Sequence, residues 1–154
     1  MSVSFIFHHY QTIFMRLILF SCLLIIASCS QSKKTAIVTP PSLNGSWIPV
    51  RQEMSGKEMP AAFYAKQKLV ILDSTYTMIA ESLDKGVVRI SGNRIDIYGK
   101  EGVNKGRHFT GLFLFEKGIL TICYNLKGDS YPDNMETRGK PLYFLSVFTR
   151  EPGS

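Results

Sequence analysis

The sequence predicts an all-β fold: an antiparallel, eight-stranded barrel with one short helix after the first strand. The chain has 154 residues, enough for one domain of ordinary size, and 45% of them are hydrophobic and 12% aromatic. From residue 43 to 151, short segments of alternating apolar and polar residues are separated by Gly-, Asn- and Asp-containing turns. Eight short strands with tight connections indicate an antiparallel meander that closes on itself. An open two-sheet sandwich is the alternative.

The predicted elements follow one another with few long connections. The first strand covers residues 47–53, and a turn at SGKEMP leads into a helix over AAFYAKQ, with Pro60 at its first position. The other strands are KLVIL, TYTMIAES, GVVRIS, NRIDIYG, RHFTGLFLFE, GILTICYN and LYFLSVFTR. The predicted turns between them are Asp73-Ser74, Asp84-Lys85-Gly86, Ser91-Gly92-Asn93 and Lys117-Gly118.

The N-terminal segment has the composition of a targeting signal. From Met15 it reads MRLILFSCLLIIASC, in which Arg16 precedes an apolar run over residues 17–27. That run is shorter than the roughly 20 residues of a membrane span but fits the apolar region of a secretory signal. We therefore expect residues 1–28 to be a signal peptide, with Met1 or Met15 as the translation start.

The end of this signal, IASC, resembles the lipobox of bacterial lipoproteins. The resemblance implies that Cys29 carries the lipid after cleavage; an ordinary secreted signal with a chance cysteine is the alternative. Residues 29–42 then form a flexible tether, and residues 43–151 the barrel domain. Ser30 follows the cysteine without an acidic cluster, which by resemblance to lipoprotein sorting signals implies the periplasmic face of the outer membrane. Cys123 is left without a disulfide partner, and its strand setting predicts a buried, inert thiol.

Gly45-Ser46-Trp47 matches the G-x-W motif that opens the first strand of lipocalins. The resemblance implies that Trp47 closes one end of the barrel and that Arg150, at the end of the last strand, packs across it. Gly45, Trp47 and Arg150 are thus the predicted barrel-closing residues. A guanidinium stacked on an indole face contributes about 0.5–2 kcal/mol.

A second resemblance covers residues 43–151. LNGSWIPV, GKEMP, GLFLFEKGILTICY and FTRE are similar to an uncharacterised family of lipocalin-like bacterial domains best known from planctomycetes. The matching positions are Leu43, Gly45, Trp47, Gly56, Pro60, Gly118, Leu120, Cys123, Tyr124, Arg150 and Glu151. That family brings no established activity, so the resemblance implies a fold and leaves the function open.

Several classes of function lack their sequence signals. The net charge of +6 is scattered and not gathered into a stripe, so we expect no nucleic-acid partner. His108 is the only histidine after the signal and has no ligand-type neighbour, so no cofactor or metal is predicted. There is no G-x-S-x-G motif, and an enzyme is the third-ranked hypothesis. The GKEGVNKGRH loop is either a basic rim for an anionic head group or a solvated loop, and DSYPDNMETRGKP is either a lid over the barrel mouth or a flexible excursion.

The face of each strand with fewer charges should point into the barrel. This rule gives the candidate ligand-binding residues Tyr76, Met78, Phe113, Phe115, Ile122, Tyr124, Phe144 and Ser146. A mainly apolar interior with a few polar groups is typical of a small-molecule site, although the same residues can also fill a solid core. The preferred function is therefore a lipid-anchored envelope protein that binds a small apolar or amphipathic ligand without catalysis.

The alternative function is a protein-interaction domain, such as an inhibitor or assembly factor, that acts through exposed apolar strand faces or loops. Two strands, FTGLFLF and LYFLSVF, are apolar on both faces, so that Leu112 and Leu114, or Tyr143, Leu145 and Val147, point outward. We expect the predicted helix, a partner protein or a second copy of the chain to cover them.

Overall fold

The computed structural model describes residues 42–153, which form a closed antiparallel β-barrel. The strands are β1 (Gly45–Met54), β2 (Lys57–Glu58), β3 (Lys68–Leu72), β4 (Thr75–Ile79), β5 (Leu83–Ser91), β6 (Arg94–Glu101), β7 (His108–Glu116), β8 (Ile119–Asn125) and β9 (Tyr143–Arg150). Strands β3 to β9 pair in chain order, and β1 closes the barrel between β9 and β3, while β2 only extends the end of β1. The predicted eight-stranded barrel is confirmed, and the β1–β9 pairing excludes the open sandwich.

The two ends of the barrel differ in their connections. At the closed end, strands are joined by the tight turns 73–74, 92–93 and 117–118. Lys117 and Gly118 both have positive φ, the conformation of a two-residue hairpin turn. At the open end lie the longer connections 59–67, 80–82, 102–107 and 126–142. The signal segment, Cys29 and the tether up to residue 41 lie outside the described residues.

The predicted helix over AAFYAKQ is wrong in length. Only Ala61–Phe63 form a 3-10 turn, which Pro60 precedes as its N-cap. The chain leaves helical geometry at Tyr64, whose side chain is buried and whose hydroxyl donates a hydrogen bond to the Val50 carbonyl. Packing of this one tyrosine against β1 therefore overrides the local helix propensity. Among residues 42–153, no helix has the length and hydropathy needed to span a bilayer.

A second correction concerns Asp84-Lys85-Gly86, which were predicted to be a turn. The turn between β4 and β5 lies at residues 80–82, and these three residues belong to β5. Asp84 pairs with Met78, and Gly86 pairs with Tyr76 across the β4–β5 ladder. Asp84 is 4% exposed and faces the interior, so the structure places a carboxylate inside the barrel.

The long connection before β9 lies against the outside of the barrel wall and is neither a lid nor a flexible excursion. We call residues 127–142 the outer strap. The Tyr131 hydroxyl donates to Asp96 on β6 (2.7 Å), and Thr110 on β7 donates to the Ser130 carbonyl (2.5 Å). Farther along, the fully buried Thr137 donates to Glu53 on β1. The outer strap thus spans the outer face from β6 to β1.

The outer strap also answers what covers the outward apolar residues. Leu112, Cys123 and Leu145 are neighbours across β7, β8 and β9, on the face that the outer strap crosses. Cys123 is 0% exposed and Leu145 is buried as well, whereas Leu114, nearer the closed end, stays exposed. The expectation that the predicted helix, a partner or a second copy covers this face is therefore wrong for Leu145, while the predicted burial of Cys123 is confirmed.

A β-bulge in β1 determines which of its side chains face the interior. Between Pro49 and Arg51 the register to β9 shifts, so Val50 has no cross-strand partner and is exposed. Trp47 faces inward before the bulge and Gln52 after it, although strict alternation would place them on opposite faces. The bulge therefore adds a polar side chain to the open half of the barrel.

Candidate ligand-binding site

The closed end of the barrel is filled by Trp47, which is 0% exposed. Its indole nitrogen donates to the Leu43 carbonyl (2.8 Å), and its ring meets Phe115 edge-on at 5.7 Å between centroids. Arg150 lies over the indole and donates to the Asn44 carbonyl (2.8 Å). Gly45 has φ +136°, which strains any other residue, and a Cβ there would lie 2.3 Å from the Arg150 Nη1 atom, so a side chain at this position would displace the guanidinium.

The open half of the barrel contains a cavity of about 340 Å³. Its lining residues come from every barrel strand and from all four open-end connections. They are Gln52, Met54, Met59, Gln67, Leu69, Tyr76, Met78, Ala80, Asp84, Ile97, Asn104, Arg107, Phe109, Tyr124, Leu126, Phe144 and Phe148. The lining is mostly apolar and aromatic, with few polar groups, which is the usual composition of a small-molecule site.

The eight candidate binding residues divide between the two halves of the barrel. Four of them, Tyr76, Met78, Tyr124 and Phe144, line the cavity. Phe113, Phe115 and Ile122 do not line it and instead belong to the packed interior of the barrel. Ser146 is fully buried and accepts a hydrogen bond from Gln52 (3.4 Å).

A polar cluster of Tyr76, Asp84 and Asn104 lies on one side of the cavity. The Tyr76 hydroxyl donates to Asp84 Oδ2 (3.1 Å). The Asn104 backbone N–H donates to Asp84 Oδ1 (3.1 Å), and its side-chain amide donates to Oδ2 (2.8 Å). The carboxylate of Asp84 therefore fixes both the Tyr76 ring and the connection between β6 and β7.

Glycines make the space that this polar cluster needs. A Cβ on Gly86 would lie 2.7 Å from the Tyr76 ring, and a Cβ on Gly99 would lie 1.9 Å from the Asn104 carbonyl oxygen. The Tyr76 ring thus leans over its cross-strand partner Gly86, with its hydroxyl directed to Asp84. Side chains at either glycine would push the tyrosine or the connection away.

A second group of side-chain hydrogen bonds in the cavity wall involves Gln52 on β1. Its side-chain nitrogen donates to Gln67 Oε1 (2.8 Å) and more weakly to the Ser146 hydroxyl. Gln67 in turn donates to the Phe63 carbonyl (2.9 Å), which ties the connection 59–67 to the rim of the cavity. These hydrogen bonds hold the side-chain amides of Gln52 and Gln67 at the mouth of the cavity.

Both tyrosines of the cavity stay protonated at neutral pH. Burial, together with the charge and the hydrogen-bond acceptance of Asp84, raises the pKa of Tyr76 above its usual range. Burial, with a smaller effect of Tyr76, raises the pKa of Tyr124. The Tyr124 ring stacks on Phe144 at 5.9 Å, and its hydroxyl makes no hydrogen bond to any residue from 42 to 153. Two neutral phenols therefore face the cavity.

Three features of the site were missed in the sequence. Asp84 was hidden because Asp-Lys-Gly is a typical turn sequence. Gln52 was hidden by the bulge at Val50, since alternation counted from Trp47 places it outside. Asn104 and Arg107 lie in the GKEGVNKGRH loop, and the basic-rim hypothesis was the one signal that pointed there; the Arg107 guanidinium lies 4.9 Å from the centre of the Phe109 ring, at the mouth.

No group of three or more His, Cys, Asp or Glu side chains within residues 42–153 is arranged to hold a metal ion. No protein-family model, curated protein or solved structure matches the chain. The resemblances to lipocalins and to the planctomycete domains therefore stay predictions, and the site is defined by its own geometry.

Proposed function

We propose that the protein binds one small apolar or amphipathic molecule in its barrel, without catalysis, while a lipid on Cys29 anchors it in the cell envelope. The observation that carries the binding proposal is the cavity of about 340 Å³. It lies in the open half, while Trp47 fills the closed end. A ligand would therefore enter and leave through the mouth between the connections 59–67, 80–82 and 102–107.

The lining favours a ligand with an apolar body. Part of the cavity wall is formed by side chains that make no hydrogen bonds, namely Leu69, Ile97, Phe109 and Phe148. They would cover the hydrocarbon surface of a ligand and remove it from water. Burial of apolar surface contributes roughly 25 cal/mol per Å². The polar groups are few and lie near the mouth, so they would select for the polar end of the molecule.

The location proposal has its support in the sequence of the N-terminal segment. A lipid on the cysteine of the lipobox-like IASC would lie 13 residues before the first described residue, Ser42 (42 − 29 = 13). A tether of that length would let the barrel reach the membrane surface without being inserted in it.

Native mass spectrometry of the protein purified from its own cells tests the binding proposal. We expect a co-purifying molecule at one copy per chain, released on denaturation. A fluorescent fatty-acid analogue should then bind the ligand-stripped protein with saturation near one per chain. The absence of both a co-purifying molecule and saturable binding would refute the proposal.

The protein-interaction hypothesis is the less favoured one. Its motive was an uncovered apolar outer face, and the chain's own outer strap covers Cys123 and Leu145 on that face. Leu114, on the same face, is 45% exposed. Single exposed apolar side chains are common on protein surfaces and need no partner.

A further inference from the structure

Asp84 is a buried carboxylate that lines the cavity, and no cationic side chain among residues 42–153 pairs with it. It is 4% exposed, and it takes part in none of the ion pairs found among residues 42–153. Its three hydrogen-bond donors, from Tyr76 and Asn104, are all neutral. A buried charge is costly unless an opposite charge compensates it, and neutral donors compensate only in part.

The carboxylate also has accepting capacity left. An ionised Asp offers about four lone-pair sites, and the protein's donors take three. The residue lies among those that line the cavity, so a ligand in the cavity lies within its reach. A donor with positive charge would fill this site with the strongest class of hydrogen bond.

The aromatic rings of the cavity favour the same kind of ligand. Tyr76, Tyr124, Phe109 and Phe144 all line the cavity. Aromatic faces attract cations, and the attraction is greatest where water is excluded. Tyr124 is 8% exposed, and its hydroxyl makes no hydrogen bond to any residue from 42 to 153, so it can accept a hydrogen bond from a ligand in the cavity.

Arg107 is the charged group that opposes this preference. Its side chain lines the mouth, but it is exposed and lies over Phe109 at 4.9 Å. Solvent screens an exposed charge far more than a buried one. The buried carboxylate therefore dominates the selection of the ligand's polar end.

From these observations we infer that the ligand is an amphipathic amine, whose ammonium group pairs with Asp84 and whose hydrocarbon part fills the cavity. This inference deepens the proposed function and depends on it. A purely structural role for Asp84, as the anchor of Asn104 and its connection, predicts no preference for amines.

The test compares three ligands that share one hydrocarbon chain. The full chain, held in lipid nanodiscs, is titrated calorimetrically with octylamine, octanol and octanoate at pH 7, with protein-free discs as the blank. We expect octylamine to bind at least tenfold more tightly than the other two. In Asp84→Asn this preference should disappear while octanol affinity changes less than threefold, and in Asp96→Asn, which alters a carboxylate on the outer face, it should persist.

The outcomes separate the two proposals. Equal or tighter binding of octanol or octanoate overturns the amine inference and leaves the proposed binding function standing. Binding of none of the three overturns both. An undiminished amine preference in a folded Asp84→Asn protein also overturns the inference. If Asp84→Asn does not fold, the ligand ranking in the unaltered protein and in Asp84→Glu, which keeps the charge, still decides.

Discussion

The guanidinium carbon of Arg150 lies 4.5 Å from the centre of the Trp47 ring, and the two residues face each other in the β1–β9 ladder. This pair joins the two strands whose contact closes the barrel. The indole is fully buried while the arginine is exposed, so the ring supplies apolar burial and the guanidinium covers it from the solvent side. The closed end of the barrel is therefore built around one side chain.

Trp47→Ala should lower the free energy of unfolding by about 3–5 kcal/mol, because it leaves a large cavity against Phe115 and Leu43. Urea unfolding followed by circular dichroism measures the change. Phe63→Ala, at a side chain 65% exposed, is the control and should change stability by less than about 0.5 kcal/mol. An unchanged midpoint for Trp47→Ala would contradict the role of Trp47 at the closed end.

Strand alternation made most of the barrel predictable, because a sequence period of two directly sets which face is buried. It failed where the backbone departs from that period. The bulge at Val50 shifts the phase of β1, so the inward position of Gln52 cannot be counted from Trp47.

Tertiary contacts explain the other failures. The segment Asp84-Lys85-Gly86 has a typical turn sequence, but its Asp84 carboxylate accepts hydrogen bonds from Tyr76 and Asn104 inside the barrel. These contacts cannot be predicted from the local sequence. The outer strap has no periodicity, and its hydrogen bonds go to strands 35 and 84 residues away in sequence. No local sequence pattern predicts the position of the outer strap or the burial of Thr137.

Thr137→Val tests whether the outer strap stabilises the barrel. The Thr137 hydroxyl accepts from the Gly56 N–H (2.8 Å) and donates to Glu53, and the residue is 0% exposed. Valine keeps the shape but leaves both partners unsatisfied, so unfolding should become easier by about 1–3 kcal/mol. Thr77→Val, on β4 and far from the outer strap, is the matched control and should be nearly neutral. Equal effects of the two substitutions would refute this role.

Stability should fall in alkaline solution as Cys123 titrates. Burial is the main reason that the pKa of this thiol rises from 9.0 to about 11, with Lys140 opposing and Glu53 adding to the effect. The unfolded chain loses the thiol proton first, so the contribution is complete below about pH 9 and is lost as pH rises to about 11. The slope of one such group is at most about 1.4 kcal/mol per pH unit.

Urea unfolding at pH 8 to 10.5 measures this loss in the unaltered protein and in Cys123→Ala. The difference between the two should narrow as pH rises, because only the unaltered protein loses the contribution of the thiol. A constant difference across this range would show that the buried thiol is not coupled to folding.

The lipid anchor is tested at Cys29, which lies outside the described residues. Cys29→Ser should abolish labelling by radioactive palmitate, and the protein should no longer be found in the membrane fraction. Cys22→Ser, inside the apolar run, is the control and should label normally. Persistent labelling of Cys29→Ser would refute the lipobox interpretation.

One substitution made at two positions distinguishes the cavity from the packed interior. Phe144 lines the cavity, whereas Phe113 is 4% exposed within the core and does not line it. Phe144→Trp should therefore add volume where there is room, weakening the binding of a fluorescent fatty-acid analogue with little change in melting temperature. Phe113→Trp should overpack the core and cost roughly 1–3 kcal/mol of stability, with affinity retained by the folded protein.

Both variants are read by the same ligand titration and the same thermal melt, so each serves as the control of the other. Loss of stability without loss of affinity at position 144 would mean that its ring is tightly packed and that the cavity does not receive the ligand there. Loss of affinity at position 113 without loss of stability would place the binding site in the closed half of the barrel. A ligand that occupies the space between Phe144, Tyr76 and Asp84 predicts loss of affinity at position 144 and loss of stability at position 113. In that arrangement, added volume at the open end competes with the ligand, whereas added volume in the core destabilises the fold.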